Sequence, residues 1–288
     1  MDVTALPRRP VADCTAAEVA AALNAGFEGY LVPVRIDAPG YERRFRGEDL
    51  DPFSSYLFGP PGRPAGVMLV ARRGWTARIA SLGVAPDWRG RGLGRHALDL
   101  AAAEARMRGD HALLLEVFEQ NTRALALYER LGFRRLRRLY GHRREPVRPE
   151  AVAGAAALRP ADPLSLSRAL LRAGEGADLP WMLQPETLAK AAHPFRALAL
   201  AGEPEGQAPL ALLRDPGTEA MLLTALFVPP DRRGLGLGRR LLAALAAAYP
   251  GRPWLIPQIV PEGPLDAFLL ATGWTRQALN QFDMRLDL

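Results

Sequence analysis

Apolar and polar positions in the first half of the chain follow two different periods. Residues 66–71 (GVMLVA) and 76–84 (TARIASLGV) are apolar-rich runs separated by Arg72-Arg73-Gly74, which predicts a β-hairpin. From Gly92 to Met107 the period lengthens. Leu93, Ala97, Leu100, Ala101 and Ala105 return near helical spacing, and Gly109 stands as a stop. Residues 112–118 (ALLLEVF) read as another strand. Asn121 is then placed to cap a helix whose Ala124, Leu127, Tyr128 and Leu131 share one face and whose end is marked by Gly132. The Arg-rich run at residues 134–144 reads as a solvated edge strand. The recurring unit is strand, glycine-rich turn, helix, strand.

That unit occurs twice. Residues 84–98 (VAPDWRGRGLGRHAL) return as 228–242 (VPPDRRGLGLGRRLL), an offset of half the chain length. Two copies so far apart predict two domains of similar plan rather than a solenoid, whose period is about 20–50 residues. The Pro-, Gly- and Ala-rich stretch 145–163 places the break near 150, giving domains 1–150 and 151–288.

The turn itself points to anion binding. Alternate glycines remove side chains in front of a helix start, where free N–H groups and the helix dipole favour negative charge. A phosphate loop requires Gly-Lys-Ser/Thr, but Gly94 precedes Arg95-His96 and Gly238 precedes Arg239-Arg240. A dinucleotide fingerprint requires a further glycine where Ala97 and Leu241 stand. What remains is Arg-x-x-Gly-x-Gly, as Arg89, Gly92, Gly94 and as Arg233, Gly236, Gly238, each after Val-x-Pro. This resembles the acyl-CoA pyrophosphate loop of the GNAT superfamily of N-acetyltransferases.

Residues 116–133 (EVFEQNTRALALYERLGF) resemble the second motif of the same superfamily. The resemblance implies a mixed α/β fold: two tandem GNAT-like domains, each with a mixed, largely antiparallel sheet, a splayed parallel strand pair and flanking helices. It implies that acetyl-CoA is the cosubstrate, with Leu82, Gly83 and Val84 facing the thioester. Arg89, Gly90, Arg91, Gly92, Leu93, Gly94, Arg95 and Asn121 would complete its site, and Arg233, Gly234, Gly236 and Gly238 are the equivalents in the second copy. Tyr128 falls near the sulfur as general acid, because amine attack on a thioester expels a thiolate that a phenol can protonate or stabilise. Glu116, on the strand beside the cleft, is the first choice for the base; the alternative is a carboxylate that only orders the strand. Downstream of the second loop, Glu262, Leu269 and Pro257 stand at the places of Asn121, Tyr128 and Glu116. Leucine cannot donate a proton, so the first domain is expected to be catalytic and the second degenerate.

On the acceptor side, Phe27 and Tyr30 are candidates to line a pocket. Glu48 is a candidate to attract a cationic amine, against the alternative that its acidic cluster is a solvated turn. The predicted activity is acetyl transfer to a primary amine of a small molecule or peptide; the alternative is a non-catalytic acyl-CoA-binding or regulatory protein on the same fold.

Composition narrows this little. The net charge is +6 and the pI near 10.0, but the basic residues are almost all Arg and gather on no recognisable nucleic-acid module. Cys14 alone can form neither an intramolecular disulfide nor a cysteine zinc cluster, and no metal is expected. No apolar run approaches the ~20 residues of a membrane span. The expectation is a cytoplasmic protein that binds neither nucleic acid nor membrane, with a homodimer left open.

Overall fold

The computed structural model describes residues 3–148, 154–176, 178–204 and 206–288. The first half runs β1 (Arg8–Pro10), α1 (Ala16–Gly26), α2 (Ala38–Phe45), β2 (Tyr56–Phe58), β3 (Gly66–Arg73), β4 (Thr76–Val84), α3 (Leu93–Met107), β5 (Ala112–Phe118), α4 (Thr122–Arg130) and β6 (Arg134–Arg144). The second continues β7 (Leu158–Ala161), α5 (Leu164–Arg172), α6 (Pro185–Ala189), β8 (Phe195–Leu200), β9 (Leu210–Arg214), β10 (Met221–Phe227), α7 (Leu237–Ala248), β11 (Trp254–Pro261), α8 (Pro264–Leu270) and β12 (Thr275–Asp287).

The expected hairpin is β3–β4, paired from Gly66↔Val84 to Arg73↔Thr76 with a register shift that skips Ala80. A bulge of this kind bends the strand that carries it. β4 and β5 run parallel and pair only from Thr76↔Ala112 to Ile79↔Leu115, after which they part. The second half repeats the device. The ladder of β9 with β10 skips Thr224, at the repeat position of Ala80, and β10 pairs with β11 only at Met221↔Trp254 and Leu222↔Leu255. Each half therefore carries a parallel pair that opens into a V, at the end where its glycine turn lies.

Helix α3 covers the first sheet with Leu93, Ala97, Leu98, Ala101 and Ala105, all buried against Met68, Val70 and Leu113. The alanines leave room for the helix to lie close to the strands. In the second half, α7 buries Leu237, Leu241, Leu242 and Leu245 in a separate core with Trp254 and Trp274.

The chain divides into two units, Met1–Leu136 with Phe282–Leu288, and Arg137–Gln281. These bounds differ from 1–150 and 151–288. Position 150 lies outside the described residues, and the last two strands explain the difference: β6 leaves the first unit at Leu136, and β12 returns to it from Phe282. Phe282 and Met284 sit in the first unit's core. The reading of 134–144 as a solvated edge strand is also corrected. Residues Leu139–Arg144 pair antiparallel with β11, and Leu139, Tyr140 and His142 are buried.

Candidate active site

Both glycine turns have the same backbone. Gly90 and Gly92 have φ of 78° and 93°, Gly234 and Gly236 of 77° and 76°, so each turn needs residues free of a Cβ penalty. Gly92 and Gly236 are the N-caps of α3 and α7, with no side chain closing the helix start. The third glycines differ: Gly238 is tightly packed, whereas Gly94 has room for a Cβ at ordinary contact distance. A Cβ on Gly94 would lie 3.6 Å from Leu127, and one on Gly238 would lie 3.0 Å from the Phe268 ring.

The loop arginines are held by bonds within the protein. Arg89 donates to the carbonyl oxygens of Val84 (2.9 Å), Gly26 (3.3 Å) and Glu28 (2.5 Å), pinning the end of α1 to the end of β4. Arg233 repeats the first bond, to Val228 (3.0 Å), and then forms a bidentate pair with Glu175 at 2.6 and 2.7 Å. Both guanidiniums thus brace their loops. Arg91 lies over the Trp88 ring at 5.5 Å, and exposed Arg95 faces Asp99 at 3.5 Å.

The residues named for the first site are placed as follows. Gly83 is buried, and a Cβ there would meet Gly26 and Phe27 at 3.0 Å, so the end of α1 lies directly on β4. Leu82 and Val84 are partly buried against the core. Leu93 is buried at the start of α3. Phe27 packs edge-on against Tyr30 (5.1 Å), and Tyr30 against Phe118 (6.1 Å). Asn121 caps α4 by accepting from the Ala124 N–H at 3.2 Å, and its side chain lies near the Tyr30 phenol and counters the rise that burial gives the phenol's pKa. Tyr128, on the inner face of α4, is 8% exposed. Burial, with the nearby Tyr30 phenol adding to it, pushes the Tyr128 hydroxyl well above the ordinary phenol range, so it stays protonated at neutral pH.

Glu116 and Glu48 converge on a residue that the sequence reading passed over. Arg78, buried in β4, holds Glu116 at 2.7–3.1 Å and Glu48 at 2.7 Å. Burial opposes its charge, but the two carboxylates more than reverse this and hold the guanidinium above its usual value. Glu48 is 2% exposed. It is therefore corrected from an acceptor-attracting surface group to a buried partner of Arg78. The signal was a single arginine among the inward apolar residues of a central strand, which requires carboxylate partners in the fold. Phe118 was likewise missed, though an aromatic ending a strand beside the cleft was visible.

In the second unit, Leu269 is fully buried where Tyr128 would stand, and Pro257 replaces Glu116. Glu262, at the Asn121 place, is exposed and accepts a hydrogen bond from Tyr140 at 3.3 Å. The V opened by β10 and β11 contains a cavity of about 630 Å³.

A strand pair parted beside a glycine turn that opens a helix defines an acyl-thioester-binding fold. Residues 24–133 match the acetyltransferase (GNAT) family. Streptothricin acetyltransferase of Streptomyces lavendulae is 40% identical over 89 residues, covering 30% of this chain and 47% of that protein. The ribosomal protein bS18 alanine N-acetyltransferase of Salmonella typhimurium is 46% identical over 57 residues, covering 20% of this chain and 38% of the relative. The chain spans less than half the length of these two relatives. In fold it is similar to a tandem GNAT protein from the clavulanic acid biosynthesis pathway, with a TM-score of 0.67 and 18% identity over 98% of both chains. Residues 24–133 thus carry a GNAT acetyltransferase domain, the chain as a whole has the fold of tandem GNAT proteins, and acetyl-CoA is the cosubstrate of that family's acetyltransferases. Among the described residues, no helix is long and apolar enough to cross a membrane.

Proposed function

We propose that the first unit transfers the acetyl group of acetyl-CoA to a primary amine of a small molecule or a peptide, by direct attack in a ternary complex. The observation that carries this reading is the buried Tyr128 of α4, packed in one core with Leu82 and Val84 of β4 and Val117 of β5, the strands whose pairing ends at Ile79 and Leu115. As the amine nitrogen bonds to the carbonyl carbon, the C–S bond breaks and negative charge collects on sulfur. Tyr128 donates a hydrogen bond to that sulfur and so stabilises the thiolate; its raised pKa keeps the hydroxyl protonated for this at neutral pH. The attacking nitrogen must lose a proton. Glu116 is the candidate to receive it through water, with Arg78 fixing the carboxylate in place.

The bare amides of Gly90–Gly94 take the pyrophosphate, and Phe27, Tyr30 and Phe118 form the acceptor wall. Relatives that act on streptothricin and on a ribosomal protein's alanine support both amine classes. Steady-state assay of Tyr128→Phe tests the assignment. A kcat lowered about 10²- to 10⁴-fold, with the KM for acetyl-CoA changed only a few-fold, is expected. An unchanged kcat would remove Tyr128 from the reaction.

A second reading, acyl-thioester binding without transfer, is favoured for the second unit by the buried Leu269.

A further inference from the structure

The cavity of about 630 Å³ in the second unit has two kinds of wall. Its buried lining is hydrocarbon: Leu166 and Leu170 from α5, Leu188 from α6, Leu223 and Phe227 from β10, and Val260 from β11, each less than a tenth exposed. Of its charged lining residues, Arg233, Arg239 and Glu262 are exposed, which places them at the mouth, and Glu175 and Arg232 are half-buried, each held in an ion pair. Glu175 offsets Arg233, Glu203 offsets Arg232 and Glu262 accepts from Tyr140, whereas Arg239 hydrogen-bonds the Ala271 carbonyl oxygen and pairs with no carboxylate among the described residues. The equivalent arginine of the first unit, Arg95, faces Asp99.

A hydrocarbon interior cannot hold an ammonium or guide its proton, because an unpaired buried charge is strongly unfavourable. The same walls suit a saturated chain, and the volume falls in the ~300–1,000 Å³ range of ligand cavities. The uncancelled Arg239 and the open amides of Gly234 and Gly236 favour an anionic end at the mouth.

We propose that the second unit binds a medium-length saturated acyl chain with an anionic head, its hydrocarbon tail in the cavity, and holds it without transfer. This site is separate from the acetyl-transfer site proposed for the first unit, so either can fail without the other. Two sources share this chemistry: an acyl-CoA thioester and a free carboxylate.

Calorimetry on the full chain carrying Gly92→Glu, which closes the first loop, tests the proposal with acetyl-, hexanoyl- and decanoyl-CoA and with free decanoate. Affinity is expected to rise about three- to fourfold per added methylene until the cavity fills. Ala225→Phe and Leu170→Phe, which add volume from two different walls, are expected to remove decanoyl binding in chains whose melting stays cooperative. Tight decanoate binding would identify a free acid as the ligand, and binding of the thioester alone would identify acyl-CoA; both support the site. Affinity independent of chain length, or decanoyl binding unchanged in both filled variants, would overturn it. Acetyl-CoA binding and turnover in a chain with Gly92 intact report separately on the first unit.

Discussion

The two glycine turns share their conformation and differ in what stands behind them. Val84 to Gly94 and Val228 to Gly238 have matching left-handed glycines, the same arginine-to-carbonyl brace and the same bulged strand before them. Behind the first stand a phenol, a capping asparagine and a buried arginine with two carboxylates; behind the second stand Leu269, Glu262 and, in place of Glu116, Pro257. At the repeat position of Arg78, the second unit has Leu222. The backbone that receives a thioester is thus separable from the side chains that would act on it, and only the former recurs in both halves.

Exchanging the residues at the equivalent positions is the sharpest way to break this contrast. Tyr128→Leu is expected to lower turnover at least as far as the phenylalanine change, by about 10²- to 10⁴-fold. Leu269→Tyr, at a position that lines the cavity of the second unit, is expected to leave that unit inactive, because Pro257 still stands in place of Glu116. Turnover by that variant with the first loop blocked would show that the phenol alone separates the units.

Next in size is the buried triad. Arg78→Met leaves Glu48 and Glu116 without their common partner, and a loss of about 3–5 kcal/mol in unfolding free energy is expected from denaturant melts. Adding Glu48→Gln should restore part of it. No recovery in the double variant would mean that the two carboxylates do not interact through Arg78.

A smaller effect should be equal in the two halves. Gly92→Ala and Gly236→Ala each force a Cβ into a left-handed position and are expected to cost about 1–2 kcal/mol. Unequal costs would show that the loops differ in more than their surroundings.

The smallest effect belongs to the entry of α1. Thr15 and Glu18 form a reciprocal capping box, and the Thr15 backbone N–H, helped by Arg9, draws the Glu18 carboxyl from its ordinary 4.5 to about 2. A depressed carboxyl pKa contributes stability above the unfolded value and loses it as pH falls through the folded one. The difference in Tm between the protein and Glu18→Gln should therefore shrink as pH falls from about 4.5 toward about 2. A constant difference would exclude the linkage.

Much of this was legible because it is local. The apolar runs of β3 and β4, the Asn121 cap and the glycines that need positive φ are all written within a few residues of where they act. So was the inward face of α4 that buries Tyr128. What was hidden depends on distant partners. Arg78 looked like an ordinary strand arginine until Glu48, 30 residues earlier, and Glu116, 38 later, were brought to it. The Arg-rich β6 looked solvated because its apolar residues are few. Pairing with β11 buries its middle, and partners such as Glu129 for Arg135 accept the outer charges. The carbonyl bonds of Arg89 and Arg233 were hidden in the same way, because the motif names the arginines but not the backbone oxygens they hold.

The return of Phe282–Leu288 into the first unit ties its completion to the timetable of synthesis. Everything chemical in that unit is translated by Phe133, yet the strand that finishes its core arrives only after Arg137–Gln281 has been made. At about 5–20 residues per second, the nascent unit waits on the order of ten seconds with a sheet flank uncovered. During that interval the ribosome carries a thioester fold that is assembled but not closed.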